Sequence, residues 1–163
     1  MVRNRPLHCV LYGLLLIFSA ISVVTAETDI PAQYSEEEIQ EYKVNFQRNA
    51  QVVLRTLDLW AKSWVYLNIE NYLSCYSPDF KGKGFSTAKA WQNNRRKRFA
   101  AQKDIELSIS ELEVLATANN TFIVTFTQAY KSDTYSDKTR KEIRLKYIDE
   151  KWLITAEKVL KSL

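Results

Sequence analysis

The chain has 163 residues, of which 46% are hydrophobic and 26% charged, so it can form one domain with a buried core. Its formal net charge of +4 falls to +2, with 21 basic against 19 acidic residues, once Arg3 and Arg5 are left out. This small excess is too weak to indicate nucleic-acid binding by bulk electrostatics, and we predict no nucleic-acid partner.

The first 26 residues have the pattern of a secretory signal peptide. Arg3 and Arg5 precede an apolar run over residues 7–24, and Ala26 is the small residue expected before a cleavage site. We therefore predict a periplasmic or secreted protein, cleaved after Ala26, with no stable membrane span afterwards. The run approaches the roughly 20 residues that cross a bilayer. An uncleaved anchor in the inner membrane is the alternative.

Cleavage would change the chemistry that is available to the chain. His8, the only histidine, and Cys9 would be removed, leaving Cys75 as the one thiol. Without histidine, Ser-His-Asp and Cys-His arrangements and the commonest metal ligand are excluded, so we predict no catalytic residue of these classes, no metal and no cofactor. Cys75 cannot form an intramolecular disulfide, and its apolar surroundings favour a buried, unreactive side chain over an intermolecular thiol.

Helical signals come next in the chain, after a leader over residues 27–33. Ser35 and Glu38 form a capping box before an apolar stripe over residues 39–67. The stripe indicates one long helix, or two helices that meet near Ala50. Its N-terminal half is expected to pack on its own domain, with pairing to another subunit as the alternative.

Two shorter helices follow the long one. The first covers residues 69–76 and is ended by Ser77-Pro78, because proline disfavours helical backbone in the residue before it. Residues 81–84 form an exposed loop, and its two glycines fall short of a phosphate-binding motif. Ser86 or Thr87 would then cap a third helix, which ends near residue 101.

From Ile105 onward the apolar residues recur every second position, which is typical of strands. Asn119-Asn120 predicts a hairpin turn, and Asp149-Glu150 a tight turn. The predicted pattern is strands over residues 105–114, 122–130, 143–148 and 152–159, with a polar hairpin tip over residues 131–139.

Helices followed by a meander of strands predict an α+β fold. About three N-terminal helices are expected to cover one face of a curved antiparallel sheet. We assign residues 57–163 to the domain, and residues 27–56 to the leader and the first part of the long helix.

The order of elements resembles the nuclear transport factor 2-like, or SnoaL-like, superfamily. The resemblance implies a cone-like fold, with a strongly curved sheet and a pocket enclosed between helices and sheet. Residues 57–161 are similar to the C-terminal domain of certain bacterial L,D-transpeptidase-related envelope proteins. The residues that carry this resemblance are Trp60-Ala61, Trp64, Tyr72-Leu73, Tyr76-Ser77-Pro78-Asp79-Phe80, Trp91, Arg95, Arg98, Phe126, Gln128, Tyr130, Lys141, Trp152 and Glu157. The catalytic Cys-His pair of the transpeptidase domain has no counterpart here, so that activity is not implied.

Polar residues among these aromatics define a candidate ligand pocket. Gln128 lies in line with apolar neighbours on one strand face, where its amide either ties helices to sheet or contacts a ligand. Trp91, Arg95 and Arg98 share one helical face, which suits either a bound carboxylate or internal pairing with Asp79 or Glu157. The candidate pocket residues are Trp64, Tyr72, Tyr76, Trp91, Arg95, Arg98, Phe126, Gln128, Tyr130 and Glu157.

The resemblance implies an exported, non-catalytic binding or accessory module of the bacterial cell envelope. Its implied partners are peptidoglycan fragments or an envelope enzyme. A small pocket enzyme of the isomerase or hydrolase type is one alternative, with Glu157 or Asp79 as base and a tyrosine as donor. The strand parity of Glu157, opposite to that of Ile154, argues against this alternative.

A dimeric structural or assembly module is the other alternative. The last strand and the long helix would form the homodimer surface. This alternative requires that Trp64, Phe80 and Trp91 fill the pocket themselves, because a ligand site usually needs a cavity of a few hundred cubic ångströms.

Overall fold

A computed structural model describes residues 34–117 and 120–163. The predicted signal peptide, its cleavage site, the leader and Asn119 of the predicted hairpin turn lie outside these residues. The elements in chain order are α1 Glu36–Val65, α2 Ile69–Ser74, α3 Ala88–Ala101, β1 Glu106–Thr117, β2 Thr121–Lys131, β3 Ser136–Ile148 and β4 Lys151–Ser162. The predicted α+β class is confirmed, because the three helices pack against a curved antiparallel sheet.

The apolar stripe forms the single helix α1, which runs through Ala50 without interruption. Its first turn is held by the predicted capping box, in which Ser35 and Glu38 each bond the other's backbone N–H. Only the end of the N-terminal half packs on its own domain, where the ring of Phe46 stacks on Phe122 at 5.6 Å, whereas residues 40–44 are exposed. The exposed Tyr42 marks where this packing ends.

Helix α2 ends two residues before the predicted boundary, because the chain after it pairs with β4. Ile154 N–H donates to Cys75 C=O at 2.8 Å, and Ser77 N–H donates to Ile154 C=O at 2.9 Å. The result is a short parallel bridge between Tyr76 and Ile154. Helix α3 begins after Thr87, whose side chain accepts from the N–H of Ala90.

The four strands pair in the order β1-β2-β3-β4, all antiparallel. The predicted hairpin tip over residues 131–139 is shorter than expected, because residues 136–139 pair with residues 128–131 inside the sheet. Strand β1 contains a register shift between Ser110 and Glu113. This bulge, with Glu111 at a φ of 51°, explains why the apolar alternation changes phase between Ile109 and Leu112.

The core lies between the helices and the inner face of the sheet, the face that packs against them. It is unusually aromatic, and the rings contact one another at angles typical of favourable ring pairs. Its largest fully buried side chains are Trp60, Trp91, Tyr72, Phe126, Ile143, Leu145 and Ile154.

The outer face of the sheet carries polar contacts near the bulge in β1. Thr127 is buried there and donates from Oγ1 to Glu111 Oε2 at 2.7 Å. Arg140 extends over the same strands and pairs with Glu113 at 3.1 Å. A homodimer that used this part of the face would have to cover these charges.

Candidate functional site at the polar half of the inner sheet face

The inner face of the sheet changes from apolar to polar along its strands. At one end Phe122, Val124, Ile143 and Leu145 are at most 4% exposed. Toward the β2–β3 hairpin, side chains of the same parity are polar, and Gln128 lies opposite Thr139 and Tyr130 opposite Asp137. We use the name polar half for the side chains of Gln128, Tyr130, Asp137, Thr139, Lys141 and Glu157.

Glu157 belongs to the polar half, so the prediction from strand parity was wrong. Simple alternation would place it on the side opposite to Ile154. The register of β4 shifts by one residue between Ile154 and Ala156, because Thr155 is a bulge residue without a counterpart in β3. The bulge reverses the alternation and places Glu157 opposite Ile143 on the inner face.

Both carboxylate oxygens of Glu157 are hydrogen-bonded within the protein. Lys141 Nζ donates to Oε1 at 2.9 Å, and the hydroxyl of Tyr76 donates to Oε2 at 2.9 Å. The side chains of Lys141 and Glu157 are only 13% and 16% exposed. Lys141 Nζ also lies 5.7 Å from the ring centroid of Trp60, a cation–π distance. Glu157 is therefore a fixed, internally paired carboxylate.

The surroundings of Glu157 keep it ionised. Burial by itself raises the pKa of this carboxyl, but the charges of Lys141 and Arg95 and the hydrogen bonds from Lys141 and Tyr76 outweigh it and lower the pKa. A general base that works near neutral pH would need a raised pKa and a free oxygen. Glu157 has neither, so its geometry suits the orientation of neighbouring groups.

The hydroxyl of Tyr76 is fully used and fixes the direction of a hydrogen-bond chain. It donates its one proton to Glu157, and it accepts from Trp60 Nε1 at 2.7 Å. The 2.7 Å contact with the hydroxyl of Tyr72 must then be donated by Tyr72. Burial and the nearby charge of Glu157 raise the pKa of both tyrosines, so both remain protonated.

Trp64, on α1, links the helices to the sheet. Its ring centroid lies 5.2 Å from that of Tyr72, 4.8 Å from that of Phe99 and 5.8 Å from that of Tyr130. Trp64 Nε1 is buried and meets no acceptor among the described residues. The space between the helices is thus filled by rings, and Trp64 presents an unpaired donor beside Tyr130.

Phe80 and Trp91 fill the space beside α2. Their ring centroids lie 4.7 Å apart, and each ring contacts Tyr76 as well. Trp64, Phe80 and Trp91 therefore contribute to the core, as the structural interpretation requires. A ligand would therefore have to bind through the polar groups of the site and not in the space that these rings fill.

Arg95 and Arg98 have different surroundings, although both were predicted to face the pocket. The guanidinium carbon of Arg95 lies 5.7 Å from the centroid of Trp91, and Arg95 Nε is buried without an acceptor among the described residues. Arg98 is exposed, and Phe99 takes the buried position of that turn. Neither arginine forms an ion pair with Glu157 within the described chain.

Gln128 and Thr139 are the least satisfied members of the polar half. They lie opposite each other on β2 and β3 and are 6% and 5% exposed. Gln128 Oε1 and Thr139 Oγ1 are buried and have no partner in the described part of the chain. Each unpaired buried group costs about 1–3 kcal/mol, so such clusters are rare.

The sequence did not single out Lys141 or Thr139 as pocket residues. The available signal was parity, because both have the parity of the apolar Ile143 and Leu145 on β3. A polar side chain at a core-facing position indicates a specific role more strongly than a polar side chain on the solvent side does.

Metal sites, membrane-spanning helices and reactive thiols are the other features to consider in residues 34–117 and 120–163. No group of three His, Cys, Asp or Glu side chains there could hold a metal ion. None of the described helices is long and apolar enough to cross a membrane. Cys75 is 2% exposed, which confirms the predicted burial, and burial raises the pKa of its thiol to about 12.

Comparisons with known proteins agree with this geometry. The family model of the Cds6 C-terminal NTF2-like domain matches residues 52–158. No curated protein sequence matches the chain significantly.

Among solved structures, Bd1075 of Bdellovibrio bacteriovorus shares 24% identity over 72% of this chain, with a TM-score of 0.63. The helical cell shape determining protein Pgp2 of Campylobacter jejuni shares 19% identity over 63%, with a TM-score of 0.54. The matches cover 42% of Bd1075 and 38% of Pgp2, so the chain spans about two fifths of their lengths.

A putative dehydratase of the NTF2-like family from Streptomyces avermitilis shares 12% identity with this chain, with a TM-score of 0.59. The match covers 68% of this chain and 94% of that protein. At these identities the structural likeness establishes the fold, while the family model covers most of the chain. The chain belongs to the family of the Cds6 C-terminal NTF2-like domain.

Proposed function

We propose that this protein is an exported, non-catalytic binding module of the bacterial cell envelope and that its ligands are peptidoglycan fragments. The signal-like pattern of residues 1–26 supports export. The solved neighbour Pgp2 is described as a cell shape determining protein, and cell shape is a property of the envelope. Because one fold can host many functions, the inner face of the sheet must support the proposal itself.

The observation that carries the proposal is a set of buried, unpaired groups at the polar half and on the helices beside it. Arg95 Nε and Trp64 Nε1 are donors, whereas Gln128 Oε1 is an acceptor. A peptide ligand supplies the complement of both, since its carboxylates and carbonyls accept and its amide N–H groups donate. The stem peptides of peptidoglycan carry all of these groups, and an arginine binds a carboxylate more strongly than a neutral donor does.

Glu157 and Lys141 support a binding role because they hold the site in place. The ion pair orients the hydroxyl of Tyr76, which in turn receives the hydrogen bonds of Trp60 and Tyr72. Tight positioning of this kind lowers the entropy cost of binding. It also leaves Glu157, the predicted base of the isomerase or hydrolase alternative, without a free oxygen.

The proposal is tested by co-sedimentation of the purified protein with intact peptidoglycan sacculi. We expect the wild type to sediment with sacculi and Arg95→Gln to bind at least about tenfold more weakly, because it loses a charged donor worth ~1.5–3 kcal/mol. Arg98→Gln is the matched control, since it removes the same charge from an exposed position of the same helix. Absence of binding by the folded wild type would contradict the proposal and direct the search to an envelope enzyme.

Export is tested separately by cell fractionation. We expect a C-terminally tagged chain in the periplasmic fraction or the medium, shortened by the 26 residues of the predicted signal. Retention of the full-length chain in the inner membrane would favour the uncleaved anchor.

A further inference from the structure

A depression of about 540 Å³ lies on the outer face of the sheet, away from the polar half. One wall is the chain segment 77–81, which crosses the edge of β4 after α2. The other wall is formed by Lys146 and Ile148 of β3 and by the bulge residue Thr155. The bulge that turns Glu157 inward thus also shapes this outer site.

The segment 77–81 is firmly anchored. Its Ser77 N–H is bonded to β4, and Phe80 N–H donates to Ser77 C=O at 3.0 Å, which closes a tight turn. The ring of Phe80 is 6% exposed and lies 4.6 Å from that of Tyr76. The wall is therefore held by the core, so the depression is a preformed feature of the fold.

Ser77 provides an unpaired polar group at this site. The residue is only 3% exposed, and its hydroxyl has no hydrogen-bond partner among the described residues. It nevertheless lines the depression. A hydroxyl that lines the depression and forms no hydrogen bond with the described residues can donate to a ligand that enters there.

The charges around the depression favour an anion. Lys81 and Lys146 are both exposed, and neither has a carboxylate partner within the described chain. Asp79 is the single acid among the lining residues, so the rim has one net positive charge. Phe80 and Ile148 add apolar surface between these groups.

We infer that this depression binds the terminal carboxylate of a short peptide. The carboxylate would contact the ammonium groups of Lys81 and Lys146 and accept from the hydroxyl of Ser77. The apolar body would lie against Phe80 and Ile148, which an inorganic anion cannot exploit. This site is independent of the proposed function, because the sheet separates it from the polar half.

The inference is tested by nuclear magnetic resonance titration of the ¹⁵N-labelled full chain. The probe is N-acetyl-alanyl-alanine, and its C-terminal amide is the neutral match. We expect saturable shifts at the backbone amides of Ser77, Asp79 and Thr155 with the acid, and binding of the amide weaker by about tenfold. No saturable shift at these residues, or equal binding of acid and amide, would overturn the inference.

Two lysine variants and a second anion complete the test. Lys146→Met should weaken binding of the peptide acid about fivefold. Lys151→Met, which changes another exposed lysine outside the depression, should alter this binding less than about twofold. An equal loss of affinity in both variants would show that the effect comes from the overall charge of the protein, and it would overturn the inference. Inorganic phosphate that bound as tightly as the peptide acid would also overturn it. Arg95→Gln should leave the titration unchanged, which separates this site from the polar half.

Discussion

Tyr76 and Glu157 are joined by a 2.9 Å hydrogen bond between residues that are 81 positions apart in the chain. The bond connects the end of α2 to the last strand. It also makes Tyr76 the centre of a chain that includes Trp60 and Tyr72. We expect both the stability of the domain and the geometry of the polar half to depend on this bond.

Replacing Tyr76 by phenylalanine should destabilise the fold. Tyr76→Phe removes the donor to Glu157 and leaves Trp60 Nε1 without its acceptor, so we expect a loss of ~2–3 kcal/mol in the free energy of unfolding. Urea denaturation measures this loss. Tyr66→Phe is the control, since the Tyr66 side chain is 73% exposed. Equal midpoints for both variants would show that the chain of hydrogen bonds contributes nothing.

Stability should fall in acid in a way that depends on Glu157. Its pKa is lower in the folded than in the unfolded chain. The stabilisation from its ionised form is therefore complete above the unfolded pKa and is lost as the pH falls through the folded pKa. Urea midpoints between neutral pH and pH about 3 should decrease less for Glu157→Gln than for the wild type. Identical acid dependence of the two proteins would contradict the assigned direction.

Gly82 is required because Trp91 packs against its backbone. A Cβ atom at position 82 would lie 2.7 Å from Trp91 Cδ1, which is closer than real contacts. Gly82→Ala should therefore shift the buried indole and cost ~1–3 kcal/mol in unfolding free energy. Lys83→Ala, an exposed neighbour, is the control. A thermal midpoint of Gly82→Ala equal to that of Lys83→Ala would argue against this contact.

Cys75 should resist alkylation in the native protein. Its thiol is buried and its pKa is raised to about 12, so almost no thiolate is available at pH 8. Iodoacetamide should modify Cys75 only after denaturation, with the extent read from the peptide by mass spectrometry to distinguish it from Cys9. Modification at the same rate in native and denatured protein would show that the side chain is accessible.

Local signals in the sequence predicted most of the fold. The capping box of Ser35 and Glu38 and the cap at Thr87 depend on residues only three positions apart, which the sequence shows directly. The change of hydrophobic period near Ile105 marks the start of the sheet. These features fix the order of elements, and hence the α+β class.

The candidate site was less predictable, because it depends on contacts between distant residues. The orientation of Glu157 follows from a bulge at Thr155, and a bulge is set by how two strands pair. Arg98 was expected inside, yet Phe99 occupies the buried position, because neighbouring positions on a helix compete and the apolar side chain gains more from burial. The unpaired groups of Gln128 and Thr139 are visible only once every neighbour is known.

The most direct test of the proposed ligand site is one variant measured in two ways. Gln128→Leu removes the buried, unpaired amide oxygen but keeps a similar volume. If the amide exists to contact a ligand, affinity for a soluble disaccharide tetrapeptide from peptidoglycan should fall about tenfold, while the unfolding free energy stays the same or rises. Unchanged affinity together with a loss of stability of about 1 kcal/mol or more would contradict the account, because Gln128 would then be a structural tie.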